Sequence, residues 1–204
     1  MTELPMFPLG SVLFPYMPLQ LRVFEERYLV MLAAILDSEG PEFGVTLIER
    51  GQEVGGGEHR FAIGTVAQVT ELEAREEFIA LAAQGERRIT VEQWLEEDPY
   101  PHATVTVLDE LVWDADLEPL RQEAEKTVRR TLAVASEFSE QLWAAVVQLS
   151  DDPMESSWQL AGIAPVGQLD QLKMLRAETT EQLLRTIIEV SNDAEEGFRL
   201  TWNE

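Results

Sequence analysis

The 204-residue chain has no cysteine, two histidines (His59 and His102) and two lysines (Lys126 and Lys173). Without cysteine there is no disulfide framework, thiol nucleophile or thiolate zinc site. Two histidines offer little for a metal centre, and no cofactor is expected. No apolar run approaches the roughly 18 residues that a membrane helix needs, so no membrane partner is expected. The opening Met1-Thr2-Glu3-Leu4-Pro5 lacks a basic stretch followed by an apolar core, which points to a cytoplasmic protein. Positive charge is scarce as well: thirteen arginines and two lysines oppose 38 acidic residues, for a net charge of −23. The basic residues cluster no more densely than Arg87-Arg88 or Arg129-Arg130. Such a chain repels phosphates, and no nucleic-acid partner is expected. The acidity serves solubility first, with steering of basic or unfolded partners as the sharper consequence.

The apolar share, 45%, is enough to fill a core, and its most distinctive stretch comes first. Leu4-Pro5-Met6-Phe7-Pro8-Leu9-Gly10-Ser11-Val12-Leu13-Phe14-Pro15-Tyr16-Met17-Pro18-Leu19 sets four prolines in a hydrophobic run. Proline removes a backbone donor and fixes φ, so the run is expected as short extended pieces broken by turns, neither helix nor central strand. Phe24, Tyr28, Met31, Leu32, Ile35 and Leu36 then recur at helical spacing until Gly40-Pro41. Alternation in Phe43, Val45 and Leu47, and the runs 61–70, 78–83, 89–94 and 103–107, predict strands. Gly55-Gly56-Gly57 marks a loop, Gly64 a bulge or close backbone approach, and Glu71 to Glu77 a charged turn.

Beyond Trp113 the period changes from two to 3.6. Helices are expected over Leu117–Ala135 with Pro119 in the first turn, after Ser139 with Leu142, Ala145, Val146 and Leu149 on one side, and from an Asp152-Pro153-Met154-Glu155 capping box to before Pro165. Two more follow, on Leu169, Leu172 and Leu175, and after the Thr179/Gln182 cap. The expected domains are a β-rich part, 1–113, and a helical part, 114–204.

Four stretches, in order, carry a family resemblance: the run from Pro5 to Tyr28, Gly64-Thr65-Val66-Ala67, Gly85 with Arg88 and Ile89, and Asp151-Asp152-Pro153 ahead of leucine-rich helices. Together they resemble the N-terminal domain of Lon proteases. The resemblance implies an α+β fold, with a PUA-like antiparallel β pseudo-barrel and one helix followed by a C-terminal helical bundle. It also implies recognition of substrate proteins rather than chemistry.

These residues contain no P-loop, since neither lysine follows a glycine-rich turn. A Ser-Lys dyad needs a lysine whose pKa is lowered in a dry pocket, whereas Lys126 and Lys173 stand among charged neighbours. A triad of Ser139, His59 and Asp109 lacks a nucleophile elbow. The expected function is a non-enzymatic, stand-alone module that binds unfolded or apolar protein segments. Phe14, Tyr16 and Met17 are its candidate contact residues, since aromatic and methionine side chains suit an undemanding peptide surface. The alternative for these three is burial in the barrel core. The competing functions are an adaptor docking on an ATPase or protease, and a small-molecule or hydrolytic protein.

Overall fold

The computed structural model describes residues 1–37, 40–50 and 59–201. The Gly55-Gly56-Gly57 loop lies outside them. The chain divides into two compact units, Met1–Glu110 and Leu111–Glu204.

The first unit holds β1 (Thr2–Leu9), β2 (Pro18–Val23), α1 (Glu26–Leu36), β3 (Glu42–Arg50), β4 (His59–Ala74), β5 (Ile79–Trp94) and β6 (His102–Val107). They form one mixed six-stranded sheet in the order β2-β5-β4-β3-β1-β6, with β5 also paired to β6. Strands β5, β4, β3, β1 and β6 therefore make a closed ring of hydrogen-bonded neighbours, and β2 hangs on the outer side of β5. Leu4, Met6, Val66, Ile89, Val91, Ala103 and Val105 pack together inside the ring, with Trp94 against them. Burying a side chain of this size contributes about 1.5–3 kcal/mol.

The proline run departs from expectation, because β1 is a strand with neighbours on both sides. Its two halves pair in turn. Thr2–Pro5 lie antiparallel to β6, and Met6–Leu9 lie parallel to β3. Each proline thus keeps one side without a ladder, which is where a missing donor is tolerated.

Strands β4 and β5 also run longer than their sequence patterns suggest, β5 joining the runs expected at 78–83 and 89–94. Glu71–Ala74, expected as a turn, extend β4, and the chain reverses only at 75–78. The register shifts between Thr65/Ala67 and Val69/Glu71 bend the β4–β5 pair. One end of the pair belongs to the ring and the other forms an arm with β2. Gly64 makes the close approach its position suggested: a Cβ there would meet the Val45 carbonyl oxygen at 2.2 Å.

The second unit contains a 3-10 turn (Ala115–Leu117), α2 (Glu118–Ala135), α3 (Pro153–Ile163), α4 (Gln168–Leu175) and α5 (Thr180–Thr201). Helices α2, α3 and α4 each pack on α5. Asp152 caps α3, its Oδ1 accepting from the N–H groups of Met154 and Glu155 at 2.8 and 2.9 Å. Thr179 Oγ1 accepts from Gln182 N at 3.1 Å at the start of α5.

The helix expected after Ser139 does not form, and residues 139–150 run as irregular chain. The physical reason lies on α2. Arg129 Nη1 donates to the carbonyls of Ala145 and Val147 at 2.7 and 3.1 Å, supplying an alternative to the helical ladder. Leu142 and Val146, expected on one side of that helix, face solvent. So does Leu169 on α4, while Leu172 and Leu175 are in the core.

Candidate functional site

The turn between β1 and β2 is built by residues far away in sequence. Thr65 Oγ1 donates to the Leu13 carbonyl at 2.6 Å. Tyr16 N–H donates to the Gly85 carbonyl at 2.7 Å, and Gly85 N–H donates to the Met17 carbonyl at 2.9 Å. A Cβ on Gly85 would stand 2.1 Å from the Phe14 oxygen, so the approach needs glycine. Thr65 and Gly85 belong to the two short motifs that accompany the proline run in the sequence, and their common role is to brace this turn.

Phe14 and Met17 are buried, at 1% and 7% exposure, and they anchor the turn from within. Tyr16 is half-buried and has φ 61°. A non-glycine residue in the left-handed region costs about 1–2 kcal/mol. The surrounding hydrogen bonds hold it there.

Helix α1 follows. Its inner face carries Tyr28, Met31, Leu32 and Ile35, all buried. The Tyr28 ring stacks on Phe7, centroids 3.9 Å apart, and Phe7 lies against Phe43 at 5.8 Å. The outer face is apolar as well. Val30 and Leu36 are 43% and 47% exposed, and Phe24, just ahead of the helix, is 58% exposed. Ala33 and Ala34 are exposed between them. Phe24 and Leu36, which share the helical spacing of the buried residues, are thus on the surface. A helix apolar on all sides is ordinarily covered on all sides.

An ion-pair chain fixes the start of α1. Arg27 pairs with Glu25 at 3.2 Å and with Glu97 at 3.6 Å, and Glu97 also pairs with Arg60. The Arg60 guanidinium covers the Trp94 ring at 4.3 Å. Arg88 is buried, donates to the Asp109 carbonyl at 3.0 Å, and has its pKa lowered by desolvation.

The residues considered for catalysis are placed elsewhere. Lys173 pairs with Glu189 at 2.9 Å; that hydrogen bond raises its pKa, opposite to what a lysine base requires. Lys126 is exposed. His102 Nδ1 lies 3.0 Å from the Tyr100 carbonyl, and its ring stands against Tyr100 at 4.2 Å. The Ser139 hydroxyl accepts from Gln141. The side chain of His59 lies outside the described residues. Among the described residues, no three histidine, aspartate or glutamate side chains gather as metal ligands, and no helix is long and apolar enough to cross a membrane.

Among the described residues, a mixed six-stranded sheet and five α-helices make this an α+β protein. Residues 3–193 match the family described as the ATP-dependent protease La (LON) substrate-binding domain, and the chain belongs to that family. A Lon protease of Brevibacillus choshinensis is 23% identical over 201 residues, covering 97% of this chain and 26% of the relative. A Lon protease of Magnetococcus marinus is 32% identical over 149 residues, covering 69% of this chain and 18% of the relative. The chain therefore spans about a quarter or less of the length of these curated relatives.

Two solved structures share the fold. The crystal structure of a Lon N-terminal domain protein from Xanthomonas campestris superposes with a TM-score of 0.62 at 24% identity, covering 93% of this chain and 98% of that one. The N-terminal domain of Mycobacterium avium complex Lon protease gives 0.66 at 16% identity, covering 94% and 99%.

Proposed function

We propose that the chain is a non-enzymatic module that recognises and holds exposed apolar segments of unfolded proteins. Family membership supports a substrate-binding role, and one observation carries the choice of ligand. The outer face of α1, with Phe24 beside it, is an uncovered apolar surface. Exposed patches of this kind suit protein contact. The Leu13–Met17 turn is the second part of the surface: Phe14 and Met17 anchor it, and Tyr16 is the side chain it offers. In this proposal the β-rich part, 1–113, is a PUA-like pseudo-barrel that does the holding, the part 114–204 is a helical bundle, and the protein works in the cytoplasm. No cofactor takes part.

Fluorescence anisotropy with labelled, casein-like unfolded protein tests it. Binding is expected to fall about tenfold in a Val30→Asp/Leu36→Asp variant, since each change places a charge in the contact. Failure of the unaltered chain to bind at high micromolar concentration would refute the proposal.

A second reading, docking on an ATPase or protease partner, draws on the length of the curated relatives, about three quarters or more of which lies beyond the matched part. Co-purification with one such partner, without binding to unfolded protein, would favour it.

A further inference from the structure

We propose that β2 accepts one more strand: an extended segment of another polypeptide pairs with its open edge and places a lysine or arginine opposite Gln20. This rests on the reading above that the chain holds unfolded polypeptide, and it names a second mode of contact. Among the described residues β2 stands at the end of the strand order, whereas every other strand has neighbours on both sides.

The open groups can be counted from the ladder. Pro18–Val23 lie opposite Gln84–Ile79, and one residue earlier Gly85 N–H donates to the Met17 carbonyl. Antiparallel ladders alternate bonded and unbonded pairs, so Leu19, Leu21 and Val23 bond to β5. The N–H and C=O groups of Gln20 and Arg22 point the other way. Pro18 fits this phase, because its missing donor falls on the open side and costs the sheet nothing. Gln20 and Arg22 are exposed. The Arg22 guanidinium lies over the Phe78 ring at 4.1 Å. Phe78 immediately precedes β5, so the charge is drawn over the sheet and away from the edge.

Charge selects the occupant. On the face that carries Gln20 and Arg22, the small side chains of Ala80 and Ala82 floor a trough of about 400 Å³, walled on the far side by Glu71 and Glu73. Gln20, Ala82 and Glu71 share one cross-strand row. Glu73 pairs with Arg75, whereas Glu71 has no cation against it among the described residues. Directly opposite residues share a face, so a residue opposite Gln20 projects into the trough. Three strand spacings of about 4.8 Å separate it from Glu71, a gap that a long cationic side chain and a glutamate close over Ala82. The net charge of −23 draws in the same class of segment.

The test is anisotropy with a dye-labelled peptide, Thr-Val-Lys-Val-Lys-Thr, against the full chain. Three changes are expected to weaken binding about fivefold or more: N-methylation of the two lysine amides, lysine-to-glutamate exchange in the peptide, and Gln20→Pro in the protein. Glu71→Gln weakens it in the same direction. Val30→Asp/Leu36→Asp leaves it unchanged, which separates this edge from the α1 surface. If Gln20→Pro fails to fold, the N-methylated peptide decides alone. Absence of peptide binding, or equal binding of parent and N-methylated peptides, overturns strand addition. The casein-like titration with the α1 variant judges the wider function independently.

Discussion

A methyl group on Gly85 would press against the Phe14 carbonyl oxygen, and backbone cannot yield as a flexible side chain does. Gly85→Ala is therefore expected to destabilise the protein by about 2 kcal/mol or more, seen as a lowered urea midpoint. Tyr16 makes the opposite case. In Tyr16→Gly, relief of the left-handed conformation offsets the lost ring contacts, so stability stays within about 1 kcal/mol of the parent. Binding of unfolded protein falls all the same. Unchanged binding in that variant would remove Tyr16 from the contact surface. Phe14, Tyr16 and Met17 stand out in the sequence as aromatic and methionine side chains within the proline-broken run. What separates them is burial, and burial depends on Thr65 and Gly85, about fifty and seventy positions away. No local pattern contains that information.

At the level of elements, capping chemistry was legible and coverage was not. Asp152 and Thr179 cap α3 and α5 as their spacing indicates, because a cap is a contact between near neighbours. The segment 139–150 has helical spacing but an arginine on α2 satisfies two of its carbonyls. Arg129→Ala is expected to free Ala145 and Val147, with faster amide exchange and earlier proteolysis confined to 139–150. β1 reads as a broken strand because sequence shows its prolines but not that its two halves face different partners. Helix α1 gave the sharpest missed signal: Leu29, Val30, Ala33, Ala34 and Leu36 leave it with little polar surface, which already marked an outer face awaiting cover.

The first turn of α2 also gives a pH dependence. Hydrogen bonds from Arg121 and then Gln122 hold the Glu118 carboxyl at about 2, against an ordinary value of 4.5. A carboxyl with a depressed folded pKa stabilises above its unfolded value, and that contribution is lost as pH falls through the folded one. The thermal midpoint is expected to drop between those two pH values, and to drop less in Glu118→Gln.

For the whole molecule, the acidity and the exposed apolar surface act together. A net charge of −23 favours solubility, while Phe24, Val30 and Leu36 are presented to solvent. Basic unfolded substrates are expected to bind more weakly at 0.5 M than at 0.05 M salt, while uncharged apolar segments change little. In the function proposed above, unfolded chains lie on the outer face of α1, with Phe24, and on the Leu13–Met17 turn. Amide and methyl NMR of the full chain during titration with an unfolded, apolar-rich protein tests it most directly. Shifts are expected to concentrate at Phe24, Val30, Ala33, Leu36 and Tyr16. No shifts at high micromolar ligand, or shifts confined to 114–204, would contradict it.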